Sequence, residues 1–162
     1  MSFLTLIVFL ALLGSGLIAG TFFAFSNFVM KALANVPSPE GIWARQSINV
    51  VVLNPVFLGT FMGTAALSVL IAVQAILGWG APSSPWFLIG AVLYVVGTFM
   101  VTGMGNVPLN NQLAAVGASD AAAVTVWEHY LDRWTFLNTV RTVAATIAVL
   151  MFTIGLVKGA GA

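Results

Sequence analysis

The residues best suited to chemistry lie in one stretch near the end of the chain, between Trp127 and Arg141. If this stretch is helical, one face about 80° wide at about 100° per residue carries Trp127, Tyr130, Trp134, Asn138 and Arg141. Because Arg141 leads into an apolar run, its charge would cost several kcal/mol in hydrocarbon unless it meets a cavity or a partner. This face therefore predicts a buried pocket rich in hydrogen-bond donors.

Further amides and cations fall at the same end of the predicted fold, namely Asn27, Lys31, Arg45, Asn49, Asn106, Asn110 and Asn111. The whole set is mostly donors without a carboxylate, which suits an anionic or carbonyl-bearing ligand that is otherwise flat and apolar. Adhesion between helices through single amides, each worth about 1 kcal/mol, is the competing explanation. We assign catalysis to Arg141, Asn138 and Asn110, and substrate binding to Trp127, Tyr130, Trp134, Asn106, Asn111, Asn27 and Asn49.

His129 is the only histidine, and we add it to the catalytic candidates as a proton acceptor. Helical geometry turns it away from the aromatic face together with Glu128 and Asp132, so this role requires a helix break near Leu131. The same three residues give a poor metal site, because adjacent side chains on a helix do not converge on one ion, and we predict no metal ligands. A haem held by His129, with Met104 as a second ligand, stays open.

The composition identifies an integral membrane protein. The 162 residues are 60% hydrophobic and 6% charged, with mean hydropathy +1.08, whereas soluble domains carry about 25% charged residues. A net charge of +1 gives no reason to expect a nucleic-acid partner. The absence of cysteine excludes disulfides and thiolate metal sites. We expect a multi-pass protein of the inner or plasma membrane.

Four segments reach the length of about 20 apolar residues that a bilayer requires. They predict spans at about 3–30, 50–77, 86–104 and 134–157. We expect an all-α fold, a four-transmembrane-helix bundle with helical extensions outside the membrane, as one domain over residues 1–162. Pro55 should kink the second span, and Gly16 with Gly20 should let another helix approach the first span closely.

Three groups of residues resemble one known family. They are the run from Gly105 through Asn106, Pro108, Asn110 and Asn111 to Leu113, the later Trp127, Tyr130, Trp134, Asn138 and Arg141-Thr142, and the early run Gly20–Ser26. This pattern resembles the anthrone-oxygenase-like family of small four-helix membrane proteins. The resemblance implies oxidation of a polycyclic phenolic anthrone to an anthraquinone with O₂, without flavin or nicotinamide.

The resemblance favours a membrane oxygenase or oxidoreductase that acts on a flat phenolic or enolic substrate. On that basis, Arg141 and the amides would stabilise the substrate anion as an oxyanion hole does. The cofactor is open, from none beyond O₂ to a haem or metal. The alternative is a membrane module without enzymatic activity that binds a quinone, a lipid or a partner protein. Expected partners are the lipid bilayer and an apolar aromatic small molecule; the oligomeric state, including a homo-oligomer, stays open.

Overall fold

The chain forms five helices in the residues that the computed structural model describes, 2–120 and 122–160. They are α1 (Phe3–Ala34), α2 (Ser38–Val51), α3 (Pro55–Leu77), α4 (Ser84–Ala114) and α5 (Ala123–Ala160). All except α2 are long and apolar enough to cross a membrane. The expected all-α bundle of four membrane-spanning helices is confirmed, and the protein is an integral membrane protein.

The four spans pack as a ring, in which α1 and α4 each contact both α3 and α5. Because each span crosses once, residues 35–54 and 115–120 lie at one end of the bundle and residues 78–83 at the other. Helix α2 lies at the first end, where it packs against the ends of α1, α4 and α5. We call this the α2 end of the bundle.

The second predicted span is divided between two helices. The second was expected to run from residue 50 through a kink at Pro55, but α2 ends at Val51 and α3 begins at Pro55. The Asn54 side chain caps α3 by accepting from the backbone N–H groups of Val56 and Phe57 at 3.1 and 3.0 Å, and proline is favoured in the first helical turn. A helix break, not a kink, separates α2 from the span.

Helix α4 continues ten residues beyond the predicted end of the third span at 104, up to Ala114. Asn106 and Pro108 lie inside this helix. A π-helical segment at Thr102–Asn106 precedes the proline. The wider π-helical turn accommodates the Pro108 ring. In a regular α-helix this ring would clash with the backbone carbonyl of the residue four positions before it.

Glycines allow close contact between the helices, but these are not the two glycines that were expected. A Cβ at Gly97 would lie 2.6 Å from Ala144 Cβ, so α4 and α5 approach closely there. In α1 the close contact is at Gly14, beside Thr64 of α3. Gly16 and Gly20 are exposed, and a Cβ at either would meet nothing within 4 Å. The prediction that another helix of this chain approaches α1 closely at these two glycines is wrong.

Candidate functional site

A cavity of about 480 Å³ opens inside the bundle toward the α2 end, with walls from all five helices. Most of its surface is apolar, with phenylalanines at Phe22, Phe25, Phe57, Phe61 and Phe99. The polar side chains on its wall are Thr21, Arg45, Asn49, Thr102, Asn110 and Arg141. None of the described residues that line it is acidic, so both guanidinium charges face an apolar space without a carboxylate.

Arg141 is held by its neighbours on α4 and α5. Its Nη1 donates to Thr102 Oγ1 at 3.0 Å, and its Nη2 donates to Asn138 Oδ1 at 2.7 Å. Asn138 is in turn fixed to α1, because its Nδ2 donates to the Phe22 carbonyl and to Ser26 Oγ, both at 2.7 Å. The guanidinium lies over the Phe22 ring, 4.0 Å from its centroid. Three spans therefore fix one buried charge in place.

Arg45 brings a second guanidinium from α2. It is 2% exposed and is surrounded by the rings of Phe25, Tyr130 and Trp134, with its Cζ 4.3 Å from the Trp134 centroid. Its Nη1 donates to Asn49 Oδ1, one turn later on the same helix. Burial lowers the pKa of Arg45 below its usual range, and the nearby Tyr130 partly opposes this shift. Cation–π contacts thus replace the missing carboxylate.

The two guanidinium groups lie close to the same ring, because Arg141 Cζ is also 5.2 Å from the Trp134 centroid. The charges are therefore closer together than a Debye length of about 10 Å at 0.1 M salt. Four buried donors on the cavity-lining residues have no partner within the described protein, namely Arg45 Nε, Asn49 Nδ2, Trp134 Nε1 and Arg141 Nε. This arrangement can bind the oxygen atoms of an anionic or carbonyl-bearing ligand.

The structure brings several of the sequence-predicted residues together. Asn49, Asn110, Trp134 and Arg141 line the cavity. Asn138 is fully buried behind Arg141. The others of the aromatic face are buried but lie off the cavity wall. Trp127 and Tyr130 stack on each other at 5.8 Å and Tyr130 on Trp134 at 5.9 Å, so their faces are occupied by one another.

Asn106 is buried without reaching the cavity. Its Nδ2 donates to the Trp134 carbonyl at 3.1 Å, which joins α4 to α5. Two other predicted ligand-binding amides, Asn27 and Asn111, are exposed and lie off the cavity wall. For these two and for Trp127, Tyr130 and Asn106, direct contact with a ligand in this cavity is not supported by their positions.

His129 is exposed on the outer side of α5, which runs unbroken across Leu131. The helix break that a catalytic base at this position required is absent. His129 and Met104 instead line a second, shallower groove of about 550 Å³ together with Arg133. In the part of the chain that the structure describes, no group of three or more His, Cys, Asp or Glu side chains could hold a metal ion.

Arg45 is the residue whose role the sequence alone did not assign. It was counted among the polar residues expected to line a cleft at this end but was assigned no catalytic or substrate-binding role, because periodicity along α2 does not reveal what the helix packs against. Thr102, which holds Arg141, and the phenylalanines of the wall were also missed. A cation about two turns before an Asn-Pro helix start was the available signal.

The protein is thus a small four-helix membrane bundle with an internal cavity whose wall carries buried hydrogen-bond donors. Residues 55–151, more than half of the chain, match the family model described as anthrone oxygenase. The chain therefore belongs to the anthrone oxygenase family. Asn110, Trp134 and Arg141 lie within the matched range, whereas Arg45 and Asn49 precede it. No curated protein and no solved structure matches the chain.

Proposed function

We propose that the protein is a membrane oxygenase that oxidises a flat phenolic or enolic molecule of the anthrone type with O₂ in this cavity. The observation that carries the proposal is the pair of buried guanidinium groups, Arg45 and Arg141, on one apolar cavity without an acidic partner among the described residues. The family membership and a cavity volume in the usual range of small-molecule sites, about 300–1,000 Å³, support it.

The reaction follows from the chemistry of the substrate class. An anthrone carries a CH₂ group between two rings, and its enol form ionises to an electron-rich anion that O₂ can oxidise. Both C–H bonds break and a C=O bond forms with one oxygen atom. The O–O bond breaks, and the second oxygen atom leaves as water with the two hydrogens. One anthrone and one O₂ thus give one anthraquinone and one water, so atoms and electrons balance.

The protein contributes a binding environment that favours the anion. Two cations and the unpartnered N–H groups stabilise the enolate oxygen and so lower the pKa of the bound enol. Each pKa unit corresponds to about 1.4 kcal/mol of stabilisation of the enolate relative to the enol. Trp134 offers a ring face beside the charges. Because no described residue of the wall is Asp, Glu or His, we assign the proton acceptor to water at the site.

The test is O₂ uptake by purified protein in liposomes with 1,8-dihydroxyanthrone, with protein-free liposomes as the measure of spontaneous oxidation. Arg141→Ala should lower the protein-dependent rate by about 100-fold, as loss of an oxyanion donor does. Arg133→Ala removes an exposed charge from the same helix and is the matched control, with a rate close to that of the wild type. An Arg141→Ala rate equal to wild type would overturn the proposal.

A second function is favoured by the lack of a proton-accepting side chain among the described residues of the wall. The same donors would bind the carbonyl oxygens of a quinone without turning it over, which makes the protein a binding module. Binding of 1,8-dihydroxyanthraquinone that weakens in Arg141→Ala, with no protein-dependent O₂ uptake by the wild type, would support this second function over the first.

A further inference from the structure

Helix α2 covers part of the cavity at the α2 end, where Arg45 and Asn49 belong to its wall. Gln46 Nε2 donates to the carbonyls of Leu113 and Val116 at 2.8 and 3.0 Å, and so ties α2 to the end of α4. Ile42 of α2 and Leu113 of α4 are fully buried at this junction. Arg45 lies beneath the seal with its charge out of water. A ligand approaching from the aqueous phase over this junction would have to displace α2.

The lipid side is open between α3 and α4. Contacts between these helices lie almost entirely within the Ser84–Met100 part of α4, and the helices separate toward the α2 end. Besides the exposed Gly103, five apolar residues of the cavity wall are also accessible from outside: Leu53 is 64% exposed, Met62 55%, Met100 44%, Met104 76% and Val107 41%. Met62 lies on α3, whereas Met100 and Met104 lie on α4 and also line the second groove. Residues that line an internal cavity and are also exposed on the outer surface mark its mouth.

On α3, this mouth extends into the span. Met62 lies seven residues after the start of α3 at Pro55, which places it about 10 Å along the helix axis, against a hydrocarbon thickness of about 30 Å. Methionine side chains are flexible and polarizable, and they adapt to apolar molecules of different shape. Such a boundary admits a lipid-dissolved aromatic molecule and excludes an ion, which is costly in hydrocarbon.

We propose that the cavity opens sideways into the bilayer between α3 and α4, and that its ligand arrives through the Met62, Met100 and Met104 mouth as a neutral, lipid-dissolved aromatic molecule. The chemical class of the ligand rests on the proposed function. The route of entry does not, because it is inferred from the gap between α3 and α4. The molecule ionises only after it reaches Arg45 and Arg141, and the neutral product leaves by the same route. The substrate class is thereby narrowed to compounds that partition into lipid before they bind.

The experiment uses the absence of cysteine in the chain, because a single introduced thiol is then the only one that reacts. Met62→Cys is labelled in liposomes with the bulky, lipophilic N-(1-pyrenyl)maleimide. Val69→Cys is the matched control, since Val69 is two turns further on the same face of α3, 49% exposed and off the cavity wall. Each protein is also measured before labelling, which separates the effect of the label from that of the substitution.

Two readouts keep the route distinct from the reaction. The first is the rate at which 1,8-dihydroxyanthraquinone in the bilayer is captured, followed by quenching of tryptophan fluorescence; the second is O₂ uptake with 1,8-dihydroxyanthrone. Labelling should slow capture by about tenfold or more for Met62→Cys, an effect on the association rate, and leave Val69→Cys unchanged.

Each outcome decides between the two proposals. Equal capture by the two labelled proteins overturns the lateral mouth, whatever the O₂ uptake. Slowed capture in labelled Met62→Cys without O₂ uptake by any variant supports the mouth and overturns the oxidation. Absence of capture by the unlabelled wild type overturns both.

Discussion

At the scale of single residues, Arg45 and Arg141 differ in how the protein holds them. Arg141 has hydrogen-bond acceptors on two helices, whereas Arg45 lies among aromatic rings with one amide acceptor. A buried cation without a carboxylate costs stability that apolar residues of similar volume would not. Under the proposed function, Arg45 contributes to ligand binding at a cost in folding stability.

Arg45→Met tests this distinction, since it keeps a long, unbranched side chain and removes the charge. We expect the affinity for 1,8-dihydroxyanthraquinone to fall by about 10- to 100-fold, in line with about 1.5–3 kcal/mol for a hydrogen bond to a charged group. The thermal unfolding temperature in detergent should stay the same or rise. Lys31→Met, which removes an exposed cation, is the control for net charge. A lower unfolding temperature with unchanged affinity would contradict this account.

Substitution of Asn138, unlike that of Arg45, should lower the folding stability as well as the ligand affinity. Its amide joins Arg141 to the Phe22 carbonyl and Ser26, so Asn138→Ala leaves several buried groups without partners. We expect a loss of about 1–3 kcal/mol in the free energy of unfolding, together with weaker ligand binding through a displaced Arg141. Asn111→Ala changes an exposed amide and should leave both quantities unchanged. Urea unfolding and ligand titration measure them, and equal stability of the two variants would refute the role of Asn138.

The sequence indicated much of this site because helical periodicity assigns residues to a common face by their spacing. That spacing put Trp134, Asn138 and Arg141 together, and all three are buried. Periodicity does not show which side chains of other helices pack against that face. Trp127 and Tyr130 therefore share the face of Arg141 but stack on each other, and Arg45 reaches the same place from a helix that the spacing treats as separate.

At the scale of helices, the contact between α4 and α5 depends on the absence of a side chain at Gly97, beside Ala144. Gly97→Val should push the helices apart and lower the free energy of unfolding by about 1–3 kcal/mol, the usual cost of overpacking. Gly20→Val adds the same atoms to an exposed face of α1 and should have little effect. Thermal unfolding of the two variants in the same detergent makes the comparison. Similar melting temperatures would show that α4 can shift without cost.

Gln46 is one of the residues that hold α2 at the bundle end. Gln46→Leu removes both hydrogen bonds to the α4 end, so amide hydrogen exchange in Ser38–Val51 should become faster while exchange in α3 is unchanged. Ser47→Ala, at an exposed neighbouring position, is the control. Unchanged exchange in α2 would mean that its apolar contacts with α5 suffice.

Helix boundaries were less predictable than helix existence. The expected kink at Pro55 is a break because Asn54 offers a side-chain cap directly before the proline, and proline is compatible with either outcome. Helix α4 likewise continues past 104, the predicted end of the third span, because a π-helical segment accommodates Pro108. In both places a few local hydrogen bonds, which hydropathy does not register, decide the geometry.

At the scale of the whole molecule, four crossings fix which segments share a side of the membrane. Cysteines introduced at Ser2 and Ala81 should react with a membrane-impermeant maleimide on one side of sealed vesicles, and cysteines at Ser47 and Ser119 on the other. All four positions are exposed, and the chain has no other thiol. Labelling of Ala81→Cys and Ser119→Cys from the same side would contradict the four-span topology.

The aromatic surroundings of Arg45 have a consequence for the order in which the protein is made. Phe25 precedes this arginine in the chain, but Tyr130 and Trp134 are translated some 90 residues later as part of the last helix. Until that helix is inserted, the guanidinium lacks two of its three aromatic partners and stays hydrated at the interface. The cavity is thus completed only when α5 is in place, and a ribosome-bound chain that stops before α5 should leave α2 accessible to protease.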